Sequence, residues 1–190
     1  MRLVLIFCLA LAGCAGIFTR SGPSGVQVDS RGAVTRFNLE GRVAVKSGDQ
    51  NFSGGMRWER REGEEVVLLS TPLGQGVAEI RRDERGVVLV DAEGKRYQAA
   101  DIDTLVQGAL GVPIPLSGLV YWLSARPRPL APHVAYLDKA KRVAILEQDG
   151  WRIEYDRYQR RSGVDLPAKV FARRDGEVEF RLVVDAWETP

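Results

Sequence analysis

His133 is the single histidine of this 190-residue chain, so a Ser-His-Asp relay, a Cys-His pair or a two-imidazole metal site has almost nothing to be built from. It lies between Pro132 and Val134 in a proline-rich stretch, where a solvated ring is expected and no acid–base partner is fixed near it. The carboxylate pairs Glu64-Glu65 and Asp101 with Asp103 sit in a chain that is 27% charged, a density at which such pairs do not locate a glycosidase site. Gly74-Gln75-Gly76 and Gly108 to Gly111 lack the strand–glycine–helix context and downstream acid of a dinucleotide site, and they read as turns. With 27 basic against 25 acidic residues, there is no basic field for nucleic acid. The residue types point away from bond-making catalysis, and no cofactor or metal is expected.

The thiol with a reaction to offer is Cys14. It follows a charged start at Met1-Arg2, an apolar run from Leu3 to Leu9, and Leu11-Ala12-Gly13. This arrangement resembles a bacterial lipoprotein signal with its lipobox. The resemblance implies cleavage before Cys14, a diacylglycerol on its sulfur and an acyl group on its new amine. Ala12 and Gly13 are small enough for a cleavage pocket, whereas Cys8 follows bulky Phe7 and would leave with residues 1–13. No free thiol would remain. The rival readings are a secretory signal cut elsewhere and an uncleaved anchor. The apolar stretch from Leu3 to Phe18, however, has 16 residues and two glycines, short of the roughly 20 residues that span a bilayer. Three chains of ~16 carbons, at ~0.8 kcal/mol per buried methylene, would tether the domain permanently. Ala15 stands where an aspartate would, in enteric bacteria, resemble an inner-membrane retention signal. The periplasmic face of the outer membrane is therefore the expected destination.

The elements that must position these residues are mostly strands. Residues 14–36 are rich in Gly, Ser and charge, with Ser21-Gly22-Pro23-Ser24-Gly25 in a row, and read as a flexible tether; about 20 such residues reach roughly 25 Å. Residues 37–190 read as one domain. Phe37, Leu39, Gly41, Val43 and Val45 share one face of a strand, and Phe52, Gly54, Met56 and Trp58 share one face of the next. Short strands continue over 66–70, 76–82, 87–90 and 95–99 with turn residues between them, an antiparallel meander. The period then becomes helical. Asp101 can cap a helix carrying Ile102, Leu105, Val106, Ala109 and Leu110 on one face, ended by Gly111. A second short helix holds Leu116, Leu119, Val120 and Leu123, with Trp122 beside them. Pro127, Pro129 and Pro132 forbid regular structure until strands resume over 142–147, 151–158, 168–174 and 177–187. The fold class is mainly β (α+β): an open or half-closed antiparallel β-barrel with two amphipathic helices laid over its concave face. Composition is compatible both with a filled interior and with a space left open for a ligand.

Several short stretches stand in a definite order: Phe37 to Val45 around Gly41-Arg42, Trp58, Thr71-Pro72-Leu73-Gly74, Gly111 to Leu116 with its paired prolines, and Tyr121-Trp122. They are followed by Gln148-Asp149-Gly150-Trp151 with Tyr155 and Tyr158, Leu166-Pro167, and Leu182 to Asp185 with Trp187. Each is weak alone, but their order and spacing over residues 37–187 resemble the outer-membrane lipoprotein receptor family LolB. Ala125 departs from a position where the family usually has glycine, which bears on a local turn. The resemblance implies an open barrel whose helices cover a hydrophobic cavity. It also implies a monomer that accepts acylated lipoproteins from a periplasmic, LolA-like carrier and inserts them into outer-membrane lipid.

A leucine at a turn between two strands faces water unless its loop covers it. The resemblance gives Leu73 the role of an exposed apolar tip that pushes lipid into the membrane. Phe52, Met56, Trp58, Leu105, Leu119, Trp122, Trp151, Tyr155 and Phe180 are candidates for lining the acyl-chain cavity, although for any one of them ordinary core is the first reading. Arg42 reads as a solvated or salt-bridged side chain, with a lipid head group or partner as the rival. The rival functions are a lipid-anchored binding module for a small hydrophobic ligand or partner protein, an envelope hydrolase, and a structural lipoprotein with a filled interior.

Overall fold

The computed structural model describes residues 25–189. The leader, Cys14 and the chain up to Ser24 lie outside the described residues. Alternation sets the first strand: in β1 (Phe37–Ser47) the side chains of Phe37, Leu39, Val43 and Val45 are buried while Glu40 and Arg42 face water. The same period runs through β2 (Gln50–Arg61), β3 (Glu64–Ser70), β4 (Gly76–Asp83), β5 (Gly86–Asp91) and β6 (Arg96–Ala99). After helices α1 (Ile102–Leu110) and α2 (Leu116–Trp122) it resumes in β7 (His133–Leu137), β8 (Val143–Gln148), β9 (Trp151–Arg161), β10 (Val164–Arg174) and β11 (Val178–Glu188).

The eleven strands form one antiparallel sheet in the order β6-β5-β4-β3-β2-β1-β11-β10-β9-β8-β7. Hairpins carry the chain from β1 out to the β6 edge. The two helices then cross to the far edge at β7, and hairpins return the chain to β11 beside β1. β6 and β7 remain edges, so the barrel is open, as the alternation and mid-chain helices predict. The helices cover the concave face. Asp101 caps α1 by accepting from the Thr104 N–H at 2.7 Å, and α1 packs on β5, β6 and α2. In α2, Leu116, Leu119, Val120 and Trp122 are all buried, the pattern of a helix enclosed on most sides.

One continuous core joins the helices to the inner face of the whole sheet. At the end of the sheet away from the 71–75 turn, Phe37 stands edge-on to Trp58 and Trp187, with ring centroids 5.4 and 5.1 Å apart. Glu65 is buried in the β3 row between Arg60, at 3.1 Å, and Arg82, a paired charge whose desolvation is offset by two guanidinium groups. The outer face carries exposed ion pairs such as Arg57 with Glu40 at 2.8 Å and Arg181 with Glu179 at 3.1 Å, which contribute little to stability.

Two expectations change. β7 forms where irregular chain was expected: the prolines end at Pro132, and the following residues pair with β8 from His133 onward. The tether also ends earlier than residue 36. Val26 bridges Ala135 on the β7 edge by two backbone bonds of 2.7 and 2.9 Å, the Val34 N–H donates to Ser124 Oγ at 3.2 Å, and Arg60 Nε donates to the Thr35 carbonyl at 2.9 Å. An unpaired edge strand offers backbone groups that a passing segment can satisfy, so residues 26–35 are fastened to the domain.

Candidate functional site

Leu73 sits in the tight turn between β3 and β4. Its frame is made of the turn itself: the Gly74 N–H donates to the Thr71 carbonyl at 2.9 Å, the Thr71 N–H to the Gln75 carbonyl at 2.8 Å, and the Gln75 N–H to Thr71 Oγ1 at 3.2 Å. Pro72 presets its own φ, and Gly74 takes a left-handed φ of 85° that a side chain would strain. With these groups satisfied locally, nothing folds the leucine back, and Leu73 is 89% exposed.

The cavity candidates fall together. Met56, Trp58, Leu105, Leu119, Trp122, Trp151, Tyr155 and Phe180 are buried in the one core, and Phe52 is half-buried against it. Trp122 of α2 and Trp151 of β9 meet with ring centroids 6.2 Å apart. Trp122 can lie back along its helix because residue 118 is glycine: a Cβ there would stand 2.5 Å from the indole ring. Burial pushes the Tyr155 phenol well above its ordinary value. The Tyr155 hydroxyl and the indole N–H groups of Trp58 and Trp187 are buried and make no hydrogen bond among the described residues. On the outer face, a groove of about 750 Å³ beside the 71–75 turn has Glu40, Arg57, Leu68, Val77 and Val90 among its lining residues, and Met56 is its one member from the cavity candidates.

Two polar links hold the helical cover, and sequence reasoning missed both. Gln148, buried at the end of β8, accepts from Trp122 Nε1 at 2.9 Å and from the Arg128 N–H at 2.7 Å, and its amide donates to the carbonyls of Arg128 at 2.9 Å and Ala131 at 3.3 Å. One side chain thereby ties α2, the proline-rich loop and the sheet together. The signal was present: Gln148 shares the inward phase of Leu146, and a polar residue in a core position needs partners. The second link joins the helices. Asp103 accepts from the Ser117 N–H at 3.0 Å and from Ser117 Oγ at 2.5 Å, while burial raises its carboxyl above the ordinary value.

Arg42 is salt-bridged. Its guanidinium donates to both oxygens of Asp185 at 3.1 and 2.9 Å on the exposed face. His133 differs from the solvated ring expected of it: half-buried, it accepts from the Val28 N–H through Nε2 at 3.2 Å and so helps pin the N-terminal segment to β7. No helix among the described residues is long and apolar enough to cross a membrane.

A family model described as outer membrane lipoprotein LolB matches residues 35–187. This chain belongs to the LolB family. The outer-membrane lipoprotein LolB of Thiobacillus denitrificans is 40% identical over 99% of this chain and 98% of its own length. That of Nitrosomonas europaea is 35% identical over 97% and 91%. The fold is similar to a LolA superfamily protein from Nitrosomonas europaea, with a TM-score of 0.51 over 81% of this chain and 86% of that chain at 7% identity. Membership of the LolB family makes this chain an outer-membrane lipoprotein.

Proposed function

We propose that the protein is a lipid-transfer receptor that makes and breaks no bonds. It accepts acylated lipoproteins from a periplasmic, LolA-like carrier, holds their chains between sheet and helices, and inserts them into the outer membrane. The observation that carries this reading is an apolar sheet face under a two-helix cover, with a leucine held into solvent at one end of the same sheet. The inner side chains fill the interior, so entry of chains lifts the helices and exchanges Trp58, Trp122, Tyr155 and Phe180 from their core neighbours to the acyl groups. Burial without a partner costs each unpaired ring donor about 1–3 kcal/mol, and the ester carbonyls of an incoming lipid are groups with which they can pair. Anchoring at Cys14 keeps the receptor beside its target membrane.

Carrying a triacylated chain through water would expose apolar surface worth tens of kcal/mol, at ~0.8 kcal/mol per methylene. The chains must therefore pass between apolar surfaces in contact. Direction comes from relative affinity, with the receptor binding the chains better than the carrier does and less well than the bilayer.

The test mixes the protein with a carrier loaded with an acylated lipoprotein and follows the cargo. Transfer that is lost on delipidating the cargo supports the reading, whereas no transfer to a folded protein overturns it in favour of a small-ligand binding module. Leu73→Glu is expected to fold and to accept cargo normally while delivery to vesicles is lost; normal delivery by that variant would remove Leu73 from the mechanism.

A further inference from the structure

Leu130 is the second large apolar side chain that the domain holds fully in water. It lies in the loop that enters β7, with exposed Pro129 and Pro132 on either side. Its φ is 61°, the left-handed region, which glycine or asparagine adopts more readily than leucine. A mobile loop would escape both penalties by turning the leucine inward. This one is fixed: Gln148 holds the carbonyls of Arg128 and Ala131 on either side, and Arg128 donates to both oxygens of Asp149 at 3.0 and 2.9 Å. Strain combined with enforced exposure of an apolar group points to contact with something outside the chain.

The topology says what it meets. Every neighbouring pair in the sheet is antiparallel, so the turns at 48–49, 71–75, 92–95, 149–150 and 175–177 and the loop entering β7 all lie at one end. Leu73 and Leu130 therefore project from the same end of the domain. Charge does not set the match: Arg128 is paired with Asp149, and the turns at this end carry Asp49, Glu93, Asp175 and Glu177 as well. Two exposed leucines at one end of an outer-membrane lipoprotein match the apolar interior of a bilayer.

We propose that Leu130 is a second membrane-contacting tip, which with Leu73 gives the domain a two-point stance on the bilayer. The proposal rests on the reading that the Leu73 end faces lipid. One inserted leucine leaves the domain free to roll about its contact. Two leucines on separate loops fix which rim of the sheet meets the membrane.

The test uses the full lipidated protein seated by its own anchor in vesicles of phosphatidylethanolamine and phosphatidylglycerol. Single cysteines replace Leu130, Leu73, or Leu137 at the opposite end of β7, and each carries an environment-sensitive fluorophore. Vesicles with nitroxide-labelled acyl chains are expected to quench the labels at 130 and 73, with a blue shift, and to leave the label at 137 unquenched. Quenching at 73 without quenching at 130 overturns the second tip and leaves the Leu73 reading intact. Quenching at 130 alone removes Leu73 as the first contact, and quenching at neither overturns both. A label at 130 that responds to added carrier but never to lipid assigns the loop to a protein partner and also overturns the proposal.

Discussion

Leu73 and Leu130 present the same side chain to water through opposite constructions. The frame of Leu73 is closed within five residues, every bond running between Thr71 and Gln75. The frame of Leu130 comes from Gln148 and Asp149, at the end of the neighbouring strand β8 and distant in sequence. An exposed apolar tip needs a rigid mount. A tight turn supplies one locally, whereas a proline-rich loop, poor in N–H donors, must borrow one from the core.

The sharpest way to break this comparison is Gln148→Ala. It strips partners from Trp122 Nε1 and from the backbone of Arg128, each worth about 1–3 kcal/mol when left unpaired, and should cost about 3 kcal/mol in urea unfolding. Hydrogen exchange should then accelerate at Arg128 and stay unchanged at Gly74 and Gln75; acceleration at both loops would mean that the two frames are coupled. Smaller and opposite effects come from the backbone. Gly74→Ala forces a side chain into the left-handed region and should destabilise by about 1 kcal/mol, while Leu130→Gly relieves the same strain and should stabilise by about 0.5 kcal/mol. A loss of stability in Leu130→Gly would show that the leucine is there for packing.

The smallest effect separates the two polar links of the helical cover. Burial raises the Asp103 carboxyl above its ordinary 3.8, so the folded state binds that proton more readily than the unfolded chain does. Its contribution is present below the ordinary value and is lost as pH rises through the raised one. Asp103→Asn cannot titrate and should lack that fall in stability on going from acid to neutral pH, measured by urea unfolding at a series of pH values. Gln148, which does not titrate, should give a pH-independent loss when replaced.

The same contrast between local and distant causes explains what was legible in the sequence. Strand phase is local, and the alternation from Phe37 to Val45 and from Phe52 to Trp58 located β1, β2 and their inward faces. The Thr71–Gly74 turn is local too, so Leu73 could be singled out. Asp101 and Gly111 marked both ends of α1. β7 was hidden because prolines at 127, 129 and 132 dominate the local pattern, while the strand is made by pairing with β8. The fastened segment from Val26 to Thr35 was hidden for the same reason, since its bonds go to Ala135, Ser124 and Arg60. Among the aromatic candidates, Trp58 and Phe180 were legible as inward-facing, but not as cavity wall or as core, because a residue that changes partners when lipid enters is apolar in both roles.

That exchange of partners is the central claim, and photocrosslinking tests it most directly. A lipoprotein carrying a diazirine in its acyl chain would be passed from its carrier to this protein, irradiated before vesicles are added, and its adducts mapped by mass spectrometry. Adducts on inner-face residues, Trp58, Trp122, Tyr155 and Phe180 among them, are the predicted result. Adducts confined to the outer groove around Leu68, Val77 and Val90, with the inner face unmarked, would contradict it.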